Sequence, residues 1–519
     1  MDFVEQFPDA LAERINNAIA EAKNARIAER IRAKDASVWT TNDSVAKMIK
    51  NSLGWLTVAD EMLGVVDELR AFAEEVRGKF RHVMVCGMGG SSLCPEVLAR
   101  TFGRQEGFPE LLVLDSTDPD VIAGFEARIE IERCLFVIAS KSGTTTEPNV
   151  FYKYWYDRLG RRPEHFIAIT DPGSPLVEQD FSRVFLNQAD IGGRYSALSY
   201  FGVVPAALMG LDIRKLLQFE KHTDAALRLG VAIGECAKAG RDKLTFVIDP
   251  KLATLGLWIE QLIAESTGKE GKGILPVVGE SLGEPSVYGD DRVFVSISLD
   301  TDFSGLKDSD QPVIRHRIND IYDLGAEFLV WEFATACAGW RLGINPFDQP
   351  NVQEAKDATK ELLAEFTESK KLPDSTPEAS LNDSVRSQLT QLKPGDYIAF
   401  LNYIEQLPEV DHKLQQIRTR LRDTTRCATT IGYGPRFLHS TGQLHKGGPD
   451  SGVFFQLGAK DKTDFPVPGE AYSFSVLKEA QALGDFRALT KRGRRVVRID
   501  LGDDLLGGLD SLEQAIRSS

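Results

Sequence analysis

Short apolar runs that alternate with longer mixed segments dominate the sequence from about Lys79 onward. VMVC (Val83–Cys86), LLVLD (Leu111–Asp115), LFVIAS (Leu135–Ser140) and FIAIT (Phe166–Thr170) are each followed by turn residues and a stretch of helical pattern. Uninterrupted apolar strands separated by helices indicate a parallel sheet buried on both faces. The pattern then restarts: LTFVID (Leu244–Asp249), a helical stretch from Leu252 to Glu265, ILPVV (Ile274–Val278) and VFVSISL (Val293–Leu299). The fold class this predicts is α/β, with two doubly wound, mainly parallel sheet domains, although no residue-level repeat accompanies the duplication.

The remaining segments frame those two units. Residues 9–34 carry Ala, Ile and charged residues at helical spacing and predict an amphipathic lead-in. Residues 366–395 are rich in Ser, Thr, Asp, Lys and Pro and predict an exposed connection. Strand-like CATTIGYG, GVFFQLG and RVVRIDLG follow. The expected division is a helical lead-in over 1–50, a first domain over 51–215, a second over 216–365, and a C-terminal α/β extension over 366–519 packing with the second domain.

Charge and cysteine usage exclude several classes. The 519 residues carry a net charge of −15, against the basic stripe of a nucleic-acid protein. Six scattered cysteines with no C-x-x-C spacing argue against a disulfide framework or zinc ribbon and fit a reducing, cytoplasmic setting. The acidic start, MDFVEQFPDALAERINN, lacks the apolar core of a signal peptide. The longest apolar stretch, Phe201–Leu211, is 11 residues, where a membrane helix needs about 20.

Six segments could carry chemistry. Gly87-Met88-Gly89-Gly90-Ser91-Ser92 follows a strand, where glycines admit close backbone approach and a following helix offers free N–H groups to an anion. As a dinucleotide fingerprint it is weak, because Ser92 stands where the third glycine belongs and Asp115 is only a loose candidate for the ribose acid. Ser140-Lys141-Ser142-Gly143-Thr144-Thr145-Thr146-Glu147 places five hydroxyls and an ammonium at the start of a helix. That is a nest of donors suited to a phosphate monoester and more than a helix cap requires. In Gly192-Gly193-Arg194-Tyr195-Ser196 the arginine could clamp an oxyanion or form a surface salt bridge. Glu265 ends the apolar helix LGLWIEQLIAE; desolvation in a dry cleft would shift such a carboxylate toward the range useful for proton transfer, whereas a solvated helix end would not. Gly343-Ile344-Asn345-Pro346-Phe347-Asp348-Gln349-Pro350 is a rigid turn ahead of a helix bearing Lys356. His439 and His445, two of only seven histidines, lie in a polar, Gly-rich stretch at a spacing that suits neither a helical pair nor zinc.

Taken in order, GMGGSSL, SKSGTTTEPN, GGRYSALSYFGVVPAAL, the AESTGK helix end and GINPFDQPNVQEAK resemble the glucose-6-phosphate isomerase family, whose members have two sugar-isomerase (SIS) domains. The likeness runs with gaps from about residue 80 to 360. RIRAKDASVWT and FLHSTGQLHKGGPDSGVFF are closer to the isomerase half of transaldolase/glucose-6-phosphate isomerase fusions.

The resemblance implies reversible isomerisation of glucose 6-phosphate to fructose 6-phosphate through an enediolate, a step of glycolysis and gluconeogenesis. It implies no metal or other cofactor, since proton and electrons stay within substrate and side chains. By position, Gly90 and Ser91 match a substrate-contacting loop. Ser140, Ser142 and Thr145 match phosphate-holding hydroxyls, with Lys141 and Thr144 in the same cradle. Arg194 matches the arginine that stabilises the charged intermediate, Glu265 the base, Gln349 a substrate-side glutamine and Lys356 a lysine that helps open the ring. The ring-opening histidine departs from the pattern. Between Glu265 and Lys356 the sequence has only His316, in the unfitting context IRHRINDIYDLG. The role therefore passes to His439, with His445 as second choice. The family usually supplies this histidine from a partner subunit, which implies a homodimer. Alternatives with the same motifs are a dual phosphoglucose/phosphomannose isomerase and a non-catalytic sugar-phosphate-binding SIS protein.

Overall fold

The computed structural model describes residues 3–299, 306, 309–373 and 379–519. Strand β1 (Phe3–Gln6) comes first in the chain but joins the second sheet. The first sheet holds β2 (His82–Gly87), β3 (Glu110–Leu114), β4 (Cys134–Ala139), β5 (Phe166–Thr170) and β6 (Arg183–Leu186), in the order β3-β2-β4-β5-β6 and parallel throughout. The second holds β7 (Lys243–Ile248), β8 (Leu275–Val277), β9 (Arg292–Ser298) and β10 (Val313–Arg317), in the order β1-β10-β9-β7-β8. Only β1 runs antiparallel, pairing Phe3 with His316 and Gln6 with Val313. The C-terminal part forms a third, parallel sheet of β11 (Tyr397–Tyr403), β12 (Ala428–Tyr433), β13 (Gly452–Gly458) and β14 (Arg495–Asp500), ordered β12-β11-β13-β14.

Side-chain alternation along each strand assigns its two faces. In the first sheet Val83, Val85, Leu135 and Val137 enter a core shared with Leu244, Phe246, Val293 and Val295 of the second sheet. Met84, Cys86, Phe136 and Ile138 point the opposite way. That second face is covered by the helix Phe474–Lys491, which brings Phe474, Leu477, Ala480 and Leu483 from the C-terminal part. Each fully buried Phe or Leu contributes about 1.5–3 kcal/mol, so this helix is a structural wall of the first sheet. In the third sheet Ala399 and Leu401 pack with Ala264, Leu275 and Val277 of the second unit, while Ile398 and Phe400 face a separate core. The C-terminal part is thus wedged against both preceding units.

Two expectations need correction. The lead-in is helical over Asp9–Asn24 and Ile27–Arg32 but is preceded by the edge strand β1. The stretch 366–395 is only partly an exposed connection. The helix Val352–Ser369 reaches into it, and the helix Leu381–Leu389 buries Ser384, Val385 and Gln388; residues 374–378 lie outside the described part. Among the described residues no helix is long and apolar enough to cross a membrane.

Candidate active site

β2 ends at Gly87, and the chain turns through Gly89–Ser91 into the helix Leu93–Phe102. Gly89 has φ +54°, a backbone state that side chains rarely adopt. A Cβ there would stand 2.6 Å from Gln261 Nε2 and 2.9 Å from the His439 carbonyl oxygen. At Gly90 a Cβ would fall 1.8 Å from the Gly193 carbonyl oxygen. The glycines therefore let the loop of Gly90 and Ser91 lie against the backbone that presents Arg194. Ser92 Oγ donates to Asp115 Oδ2 at 3.2 Å, and Arg436 pairs with Asp115 at 2.7 Å. The loose ribose candidate is thus engaged by a guanidinium from the C-terminal part.

The helix Ala253–Thr267 carries Gln261 and Glu265 one turn apart on one face. Gln261 Nε2 donates to Glu265 Oε2 at 3.1 Å and to the His439 carbonyl at 2.7 Å. Glu265 is buried. Arg194 is buried too, which overturns the surface salt-bridge alternative. Its Nε donates to Ser266 Oγ at 2.7 Å, Nη1 to Gln349 Oε1 at 2.9 Å, and Nη2 to the carbonyls of Pro346 and Asp348 at 2.7 and 3.0 Å. Glu265 Oε1 stands 3.6 Å from Nη1, outside direct hydrogen-bond range. The turn containing Gln349 is anchored by Lys269, whose Nζ donates to the Asn345 carbonyl at 2.9 Å and to Asp348 Oδ1 at 2.7 Å. Burial, then the charge of Arg194, lowers Lys269 to about 8 despite Asp348 beside it.

The hydroxyl-rich loop follows β4 and opens the helix Thr146–Arg158. Ser140 Oγ donates to Thr145 Oγ1 at 3.2 Å and accepts from the Gly143 N–H; Ser142 Oγ and Thr144 Oγ1 lie 2.9 Å apart. Lys141 is paired with Asp171, so its ammonium is already engaged. Glu147, in the first turn of that helix, is buried and accepts from Gln481 Nε2 at 2.7 Å; its Oε1 lies 3.1 Å from His439 Nε2. Burial alone would raise this carboxyl, but its contact with His439, aided by Lys356, outweighs that and holds the group below its usual range. Lys356 itself is exposed, on the helix Val352–Ser369.

His439 ends a turn, Arg436–His439, that follows β12, whereas His445 lies in the short helix Gly442–Gly447. The Gly-rich loop expected here is therefore mostly turn and helix. His445 is buried against Tyr397, Phe437 and Phe454, and neither ring nitrogen has a hydrogen-bond partner among the described residues. Burial, then Lys446 and Arg494, drives it far below the ordinary histidine range. It belongs to the C-terminal core, which removes it as second choice.

Glu265, Arg194, Gln349, His439 and the Gly89–Ser91 loop thus lie together in one cluster, joined through Glu147 to the hydroxyl loop. Sequence reading overlooked Glu147, Gln261 and Gln481. Gln261 was detectable, one helical turn before Glu265. Glu147 stood inside the hydroxyl motif, where it passes for an ordinary acidic helix start. No local signal marks Gln481.

A family model described as phosphoglucose isomerase matches residues 11–228. The chain is 24% identical over 381 residues to a probable glucose-6-phosphate isomerase of Methanococcus maripaludis, covering 61% of this chain and 85% of that one. It is 26% identical over 383 residues to the glucose-6-phosphate isomerase of Parabacteroides distasonis, covering 59% and 85%. The crystal structure of a glucose-6-phosphate isomerase from Chlamydia trachomatis has the same fold, with a TM-score of 0.56 and 20% identity over 70% of this chain and 89% of that one. A Thermus thermophilus protein described as hypothetical superposes with a TM-score of 0.57 and 21% identity, over 70% of this chain and 100% of that one. Motifs, fold and relatives agree in likening this chain to the phosphoglucose isomerase family.

Proposed function

We propose that the chain interconverts glucose 6-phosphate and fructose 6-phosphate, with the roles divided as follows. The phosphate sits at the 140–145 loop, against free N–H groups of the following helix. Binding energy gained there orients C1 and C2 at Glu265. His439 gives a proton to the ring oxygen as the C1–oxygen bond opens, and Lys356 assists that step. Glu265 removes the C2 proton and returns it to C1, while the negative charge passes to the oxygens of an enediolate. Arg194 faces that charge with the Nη1 proton left over from its contacts to Ser266, Gln349, Pro346 and Asp348. Ser91 and Gln349 border the substrate.

One observation carries the reading. A buried carboxylate and a buried, fully oriented guanidinium stand 3.6 Å apart, and hydrogen bonds from the carboxylate through Gln261, His439 and Glu147 reach the hydroxyl loop. A non-catalytic sugar-phosphate binder would need the loop but not this pair. Six unpaired, buried cysteines fit a cytoplasmic setting.

Glu265→Gln keeps the volume and removes the base. In a coupled isomerase assay run with EDTA it should lower kcat by about 10²–10⁴-fold with KM little changed, the usual contribution of a general base. Near-wild-type turnover would sink the assignment. Assay with mannose 6-phosphate separates the dual-specificity alternative.

A further inference from the structure

The resemblance implies an imidazole delivered by a second subunit, yet in this molecule His439 of the same chain lies between the Glu265 helix and the hydroxyl loop. The Gln261 amide, on the base-bearing helix, holds the His439 carbonyl at 2.7 Å; Glu147, beside the hydroxyl loop, lies 3.1 Å from its Nε2. Its side chain is only 14% exposed, and its Cβ would be 3.2 Å from any Cβ placed at Gly89. The histidine is thus gripped at backbone and ring by the first and second units together.

The surrounding segment is seated just as closely. Gln443 Nε2 donates to the Gly268 carbonyl at 2.8 Å, immediately beyond the end of the Glu265 helix. A Cβ at Gly268 would collide with Leu444 Cα at 2.4 Å, and Leu444 packs in the core that contains Ala264, Leu275 and Val277. On the other side, Gln481 bridges Glu147 and Thr117 at 2.7 Å each, and Lys478 pairs with Asp118 at 2.8 Å. A second subunit's histidine would have to expel this whole seat before it could reach Glu147.

We infer that each chain holds a complete catalytic centre, with the C-terminal sheet supplying in cis the imidazole that a dimeric relative would take in trans. The inference rests on the isomerase reading above and adds to it where the ring-opening group comes from. A covalent tether makes the histidine's arrival intramolecular, so the site does not depend on protomer concentration.

Complementation tests this directly. Glu265→Gln and His439→Asn chains carrying different tags are co-expressed, and the doubly tagged species is isolated and assayed. His439→Asn keeps the backbone carbonyl that Gln261 binds, so the seat is preserved. In-chain completion predicts no hybrid activity above the parents, or no doubly tagged species at all. If sites are shared, or the C-terminal sheet is exchanged between chains, two-fold symmetry reunites the two intact residues in one site and the hybrid regains about half of wild-type activity. That recovery would overturn the inference and leave the isomerase reading standing. An inactive wild-type chain would instead overturn the isomerase reading. As a second measurement that needs no variant, wild-type specific activity should stay constant on dilution to concentrations at which sedimentation shows single chains. A loss of specific activity in step with dissociation would also overturn the inference.

Discussion

Gly90→Ala tests the geometry of the site with a single methyl group. A Cβ built on Gly90 lies 1.8 Å from the Gly193 carbonyl oxygen, 2.3 Å from its carbon and 3.0 Å from the Arg194 nitrogen. All three neighbours are backbone atoms, so no side-chain rotation can relieve the clash. Nonbonded heavy atoms pack at roughly 3.5 Å, so the two loops must part by more than 1 Å. The residue pushed away is the one that carries Arg194, whose guanidinium is fixed by four hydrogen bonds to Ser266, Gln349, Pro346 and Asp348. A displacement of about 1 Å at a positioned group costs roughly 10²-fold in rate. Overpacking adds about 1–3 kcal/mol of lost stability. The expected result in the isomerase assay is a kcat reduced by about two orders of magnitude, with a lower Tm. Gly193→Ala is the control, because a Cβ there meets nothing within 4 Å. Wild-type kcat in Gly90→Ala, or an equal loss in Gly193→Ala, would refute the claim that the close approach of these backbones sets the arginine.

Glu147→Gln keeps a partner for Gln481 but cannot stabilise a protonated His439. It should lower kcat by about 10²-fold while KM and Tm stay near wild type, and the acidic limb of the kcat–pH profile should move; a variant that only loses Tm would make Glu147 structural. Glu260, one residue before Gln261, is pushed up to about 8 by burial, with Arg418 and Arg436 opposing. Its native-state value lies above its ordinary 4.5, so the folded protein binds the extra proton and its stability falls as pH rises from about 4.5 to 8. Glu260→Gln should therefore gain on wild type across that window, by on the order of 4 kcal/mol at pH 8. Parallel denaturation profiles for the two proteins would contradict it.

The parallel units were legible because strands buried on both faces read as unbroken apolar runs. VMVC became β2, LFVIAS β4 and VFVSISL β9 with boundaries shifted by a residue. Three short strands were not legible. β1 (FVEQ), β6 (RVFL) and β10 (VIRHR) are short, carry charges, and bury only part of their surface. They are defined by the neighbour they pair with, not by their own composition. β11 (YIAFLNY) is buried throughout and is the centre of the third sheet, but its polar ends and its place just after a hydrophilic stretch disguised it. In the site, local chemistry marked the hydroxyl loop, whereas it left Arg194 open between an oxyanion clamp and a surface salt bridge, and only the family resemblance chose between them. Glu147 and Gln481 were not legible, since their meaning lies in a contact across 334 positions of chain.

The histidine shows how chain order and spatial order come apart. In sequence His439 follows Lys356, outside the interval where the family pattern expects it. In space it sits on the near edge of a third parallel sheet whose strand β12 lies beside the second unit, and its turn hangs over both the Gly89 loop and the Glu265 helix. The same sheet contributes the Phe474–Lys491 helix that closes one face of the first sheet, so the elements that deliver the imidazole also complete the core. The geometry of the proposed site and the stability of the fold are therefore coupled through one segment. Loosening the packing of Phe474 or Leu477 should displace Gln481, and with it the Glu147 carboxylate that contacts the His439 ring. A histidine on a mobile appendage would lose conformational entropy at every turnover, whereas one mounted on a core-forming sheet loses it once, on folding.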